Sequence, residues 1–139
     1  DSSDLMIIND SKSTSLSATR NLLESYKNIY WLVGGLAKKG DKFDLKKKYF
    51  KNIKAFIYGK DKVFFSDLLK KKIEFKISVS LKHSLNLLFK NINFNNLEKK
   101  VILFSPSAAS FDQFRNFEER GRYFNKVIKK YLYKFNKKK

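Results

Sequence analysis

Three short stretches gather the residues able to do chemistry. The first, Asn9-Asp10-Ser11-Lys12-Ser13-Thr14, sets a carboxylate, a lysine and three hydroxyls between an apolar run and a helix start. Free amides at a helix N-terminus beside a lysine favour an anion, and a capping turn with a solvated lysine accounts for the same residues. The second, Gly34-Gly35-Leu36-Ala37-Lys38-Lys39-Gly40-Asp41, holds three glycines that allow close backbone approach, or a flexible lysine-bearing turn. The third runs Ser105-Pro106-Ser107-Ala108-Ala109-Ser110-Phe111-Asp112-Gln113-Phe114 and on through Arg115 to Gly121. Small residues there admit a ligand to the backbone. Ser110 or Asp112 suits a helix cap. Phe111 and Phe117 have core packing as their default role. Ser110 has no marked base partner, because the one histidine, His83, lies in a separate amphipathic stretch. Neither GxGxxG nor GxxxxGK[ST] occurs, so an ATPase core is not encoded here.

The elements that must position these loops are legible from apolar patterning. Residues 5–8, 29–33, 55–58 and 101–104 are short apolar runs closed by turn residues, which predicts strands. Ile73, Phe75, Ile77 and Val79 alternate, which predicts another. Leu16, Thr19, Leu23 and Tyr26 share one side of a helix over 16–27, with Ser13, Thr14 and Ser15 as candidate caps. Helices are also expected at 45–51, at 65–71 with Ser66 as cap, and at 81–89. The longest is expected over 114–135, where Phe114, Phe117, Gly121, Phe124, Ile128, Tyr131 and Phe135 keep helical rhythm. Residues 90–100 are expected to be a loop and 136–139 a frayed tail. Alternation of wholly apolar strands with helices predicts a single α/β domain: a Rossmann-like, mostly parallel sheet of five to six strands covered on both faces. Ligands in such a sheet sit beyond the carboxyl ends of the strands. The three loops above follow the strand ends at Ile8, Val33 and Phe104.

Composition narrows the class. The 139 residues are 42% hydrophobic and 16% aromatic, too apolar for a disordered tail. No cysteine is present, which removes disulfides and thiolate metal sites. No run approaches the roughly 20 apolar residues of a membrane span, and the acidic start lacks a signal peptide's basic residues. The missing initiator Met suggests a piece of a longer protein. A net charge of +18 invites a nucleic-acid or anionic-surface reading. Arginine, which reads bases by bidentate contact, supplies only four of the 31 basic residues, and the lysines look scattered. A composition rich in Lys, Asn, Ile, Phe and Tyr accounts for the charge, so no nucleic-acid partner is expected.

The loop sequences carry a resemblance. Residues 9–14 resemble the NDSKAT motif of the D-glutamate-adding Mur ligases, and 33–41 resemble their GG-x-x-K-G-x-D loop. Residues 103–121 are similar to their LSPACASFDQFxNFExRG signature. The order agrees, and the detailed match covers about 7–45 and 101–125. Ser13, Ser15, Ser107 and Ala109 depart from the family's usual Ala, Asn, Ala and Cys. The resemblance implies that residues 1–139 form the C-terminal, amino-acid-binding domain of a cytoplasmic ligase, without its UDP-binding and central ATPase domains. That enzyme activates the carboxylate of UDP-N-acetylmuramoyl-L-alanine as an acyl phosphate and joins D-glutamate to it in peptidoglycan synthesis. ATP and Mg²⁺ are then held mainly by the central domain, with none expected on this fragment, which is expected to be inactive alone and monomeric. By resemblance, Lys12 reaches ATP phosphates and Asp10 lies near the ribose. Thr14, Lys38 and Ser110 bind the D-glutamate carboxylates, and Phe111 and Phe117 wall the pocket.

Overall fold

The computed structural model describes residues 4–92 and 98–138; the side chains of residues 135–138, all of Lys139 and the middle of the expected 90–100 loop lie outside the described part. The described residues form seven strands: β1 (Leu5–Asn9), β2 (Ile29–Gly34), β3 (Leu36–Ala37), β4 (Ile53–Tyr58), β5 (Glu74–Ile77), β6 (Lys100–Phe104) and β7 (Ala108–Ala109). Five of them make a parallel sheet in the order β1-β6-β2-β4-β5. Every residue of the inner strands β2 and β6 is buried, which is why both are continuous apolar runs rather than alternating ones. At the edge, β5 leaves Ile77 and the following Val79 exposed, and the alternation at 73–79 yields a strand only over Glu74–Ile77.

The described residues form four α-helices that flank the sheet: α1 (Leu16–Ser25), α2 (Lys62–Leu69), α3 (Leu81–Asn91) and, after the last strand, α4 (Phe117–Lys138). Leu16 and Leu23 of α1 and Phe65 and Leu69 of α2 bury one face of the sheet around Trp31, Ile57 and Leu103. Leu81, Leu85 and Leu88 of α3 and Phe124 and Ile128 of α4 bury the other around Leu32, Phe56 and Phe104. The chain leaving β6 therefore crosses to one face while the chains leaving its neighbours β1 and β2 stay on the opposite face. That divergence is the topological switch point at the carboxyl ends of β1, β6 and β2, where sheets of this kind form their ligand crevice.

Several local expectations are corrected. Residues 45–51 are not an α-helix; a 3-10 turn spans Lys47–Asn52 and buries none of its residues, so no packed face sustains a longer helix. Ser66 does not cap α2, which begins earlier, at Lys62, after Asp61. Neither Ser110 nor Asp112 caps α4. Asn116 does, its Oδ1 accepting from Glu119 N at 2.8 Å, so the helix starts at Phe117 and not at 114. The backbone expected to fray is helical to Lys138. Of the three candidate caps for α1, Ser15 serves, accepting from Ala18 N at 3.3 Å. Ser80 caps α3 through His83 N and also meets His83 Nδ1 at 2.6 Å, which accounts for the single histidine structurally.

Candidate functional site

The three chemistry-bearing loops converge at the crevice because backbone ties bind them together. Strand β3, in the second loop, pairs antiparallel with β7, in the third, Leu36 facing Ala109 and Ala37 facing Ala108. Lys38 follows directly on that ladder. Gly34 N donates to Pro106 O at 3.0 Å, and Asp10 N donates to Phe104 O at 2.7 Å. Gly34 has no room for a side chain: a Cβ would fall 2.0 Å from Tyr58 O. Asp41 Oδ2 accepts from Leu16 N at 2.7 Å, so the end of the glycine loop is pinned to the start of α1. Asp61, which leaves α2 uncapped, accepts instead from Ala37 N at 2.7 Å. Asp112 Oδ2 accepts from Lys60 N at 3.0 Å and ties the third loop to the end of β4.

Under the loops lies a buried hydroxyl cluster. Thr19 Oγ1 is 2.6 Å from both Ser105 Oγ and Ser107 Oγ. Ser105 Oγ donates to Asp10 Oδ2 at 2.7 Å and sits 3.0 Å from Ser13 Oγ, which accepts from Ser107 N at 3.0 Å. Since a carboxylate only accepts, the Ser105 proton goes to Asp10 and Thr19 supplies the next link. Trp31 Nε1 donates to Ser105 O at 2.7 Å and fixes the same segment from below. Ser107 holds this position at φ +60, a left-handed conformation that costs a non-glycine residue energy. A cluster this well satisfied sets the path of the first and third loops relative to each other.

Arg120, in the first turn of α4, is 1% exposed and clamps the same two loops. Its Nε donates to Ser11 Oγ at 3.1 Å, Nη1 to Ala108 O at 2.9 Å and Nη2 to Ser11 O at 2.5 Å. Ser11 Oγ in turn donates to Phe117 O at 2.7 Å. Burial lowers the Arg120 pKa from its ordinary value, with Tyr58 and Asp112 opposing that shift. Asn9 Nδ2 adds bonds to Gly121 O at 3.0 Å and Asn125 Oδ1 at 2.9 Å, so the end of β1 is fastened to α4 as well. Sequence reasoning missed Arg120, Thr19 and Ser105 as organisers. Arg120 is marked in the sequence as an arginine in a lysine-dominated chain and as part of the 103–121 stretch, and neither signal shows what it binds.

The expected site residues occupy distinct places in this frame. Lys12, Thr14 and Lys38 are exposed, on loops whose neighbouring residues Ser13 and Ala37 are tied to Ser107 and Ala108. Asp10 is partly buried and engaged by Ser105. Ser110 is 2% exposed and its Oγ lacks a hydrogen-bond partner. A buried hydroxyl with no partner is costly, and such groups are rare in folded proteins. Phe111 is 70% exposed and Phe117 41%, so neither is the core residue that default packing suggests. Both stand on the rim of the third loop. Among the described residues no three His, Asp or Glu side chains gather in a metal-binding group. No described helix is long and apolar enough to cross a membrane.

No family model matches the chain. It is 39% identical over 123 residues to the UDP-N-acetylmuramoylalanine–D-glutamate ligase of Rickettsia prowazekii, covering 88% of this chain and 28% of that protein. Identity is 41% over 120 residues to the ligase of the same name from Rickettsia conorii, covering 86% of this chain and 24% of the relative. For that of Rhodopseudomonas palustris it is 37% over 124 residues, covering 88% and 26%. The chain thus spans about a quarter of the length of the relatives it matches.

Proposed function

The chain belongs, over the 86–88% of its length that aligns, to the family of UDP-N-acetylmuramoylalanine–D-glutamate ligases, and from that premise we propose that it is the C-terminal, D-glutamate-binding domain of such a cytoplasmic enzyme. The observation that carries the reading is the convergence of the three loops on one crevice, with the buried Ser110 hydroxyl left without a partner beside them. D-glutamate brings two carboxylates and one amine. The lysine of the second loop and the hydroxyls of the first and third are suited to hold both carboxylates while leaving the amine free.

In this proposal Thr14, Lys38 and Ser110 hold the carboxylates. Ser110 reaches a ligand only if the 105–116 loop shifts, since its hydroxyl is enclosed; the exposed rim aromatics Phe111 and Phe117 then close over the bound amino acid. ATP with Mg²⁺, when bound by the rest of the enzyme, would supply the phosphoryl group that activates the carboxylate of UDP-N-acetylmuramoyl-L-alanine. The described residues fit only the margin of that site. Lys12 is exposed and free to offset phosphate charge delivered by another domain, with Asp10 beside it.

The test is Lys38→Ala in the full-length enzyme. A desolvated lysine–carboxylate contact of about 1–3 kcal/mol raises the KM for D-glutamate roughly 5- to 150-fold. Unchanged D-glutamate kinetics would discredit the assignment. ATP hydrolysis by the 139-residue chain alone would contradict the division of labour.

A further inference from the structure

Away from the crevice, α3 and α4 enclose a groove of about 410 Å³, lined by Lys82, Lys126, Lys130 and Lys134 with Tyr123 and Tyr131 between them. We propose that this groove binds the phosphate backbone of single-stranded nucleic acid without regard to sequence. The proposal is independent of the ligase reading and revises the expectation of no nucleic-acid partner.

Three observations carry it. The charge is regional and not spread evenly: the first 45 residues hold six basic and six acidic residues, whereas residues 120–139 hold nine basic and none acidic. Seven of the 27 lysines lie in residues 126–139, and α4 brings Lys126, Lys130 and Lys134 of them to one groove. No carboxylate lines the groove, and no ion pair among the described residues involves any of its four lysines. Such convergence of like charge favours an anionic occupant.

Spacing then selects the occupant. Lys126, Lys130 and Lys134 recur every four residues, a rise of about 6 Å per step along a helix. That suits the phosphates of an extended single strand, roughly twice the rise of 3.4 Å per phosphate along one strand of a duplex. Phosphates joined directly to one another lie closer together than this. The two tyrosines supply aromatic surface along the same track. Tyr131 is stacked on Phe89 at 4.9 Å and Tyr123 is held against Phe114 at 5.3 Å, so both rings are braced. A cationic groove with braced aromatics is how sequence-tolerant single-strand binders work. The dominance of lysine over arginine suits backbone contact without base readout.

The test measures binding of a fluorescent 20-mer oligothymidylate by anisotropy across a salt series. The expected result is binding with a log–log salt slope of about −3, from four phosphate contacts at roughly −0.7 each. Lys126→Glu with Lys130→Glu should weaken binding at least tenfold and flatten the slope. Lys47→Glu with Lys51→Glu, the same charge change in the separate cleft at the amino ends of β4 and β5, should change it less than threefold. Lys126→Gln with Lys130→Gln, with the helical circular dichroism retained, repeats the test without charge reversal. Equal losses from the two reversed pairs would mean bulk charge and overturn the proposal. So would no binding at low salt, or Lys126-dependent capture by phosphatidylglycerol vesicles with no oligonucleotide binding.

Discussion

Replacing Arg120 with Met removes the guanidinium while keeping an unbranched chain of similar length. The side chain is 1% exposed and gives three hydrogen bonds of 2.5–3.1 Å to Ser11 and Ala108. Bonds from a charged donor contribute about 1.5–3 kcal/mol each, so the gross loss is about 4–9 kcal/mol. Met also escapes the desolvation of a buried guanidinium, several kcal/mol in the opposite direction. The two terms leave a net destabilisation of about 2–4 kcal/mol, because the Ser11 and Ala108 carbonyls lose a buried donor. Urea unfolding of the 139-residue chain should show that loss as a lower midpoint at constant m-value. Amide exchange at Ser107 N, bonded to Ser13 Oγ across the clamped loops, should quicken beyond the global change. Lys at position 120 should behave like Met, since a point donor cannot reproduce a fork that reaches both loops. A change below about 0.5 kcal/mol on Met substitution, or full recovery with Lys, would refute the clamp.

Two further outcomes follow from the same packing. Gly34→Ala would place a methyl 2.0 Å from Tyr58 O at φ +154, and should cost about 3 kcal/mol or more in urea unfolding; an unchanged midpoint would show that β2 and β4 part more easily than their register implies. Tyr58→Phe deletes a buried hydroxyl with no hydrogen-bond partner and should be neutral or stabilising at pH 7. Burial raises the Tyr58 pKa well above its ordinary 10.0, so the unfolded chain alone ionises just above that pH and wild-type stability falls from there upward. Tyr58→Phe should remove that share of the alkaline loss, measured as midpoint against pH from 7 to 11. An identical pH profile would show that Tyr58 is not sealed from water.

The sequence by itself determined the elements and the order of the motifs. Runs of four to six apolar residues bounded by turn residues can bury both faces only inside a parallel sheet, and β2 and β6 are such strands. Glycine at 34 was marked by type, and the closeness of Tyr58 O is the reason. The three loops were legible as strand-end loops because a strand must end where its apolar run stops.

Which residues of those loops act together was decided by tertiary structure alone. Ser11, Ser13, Ser105, Ser107 and Ser110 are the same residue type, and no local pattern separates them. The strand order places β6 between β1 and β2, and that juxtaposition draws Ser13, Ser105 and Ser107 into one bonded cluster while Ser110 is left buried and unpaired. Arg120 and Ser11 are joined across 109 residues of chain. Periodicity reports contacts within a turn or two of a helix or strand. A side chain's bond to a distant loop depends on which strands pair, a choice set by burial of the whole sheet, and neither end of the bond shows it in the sequence.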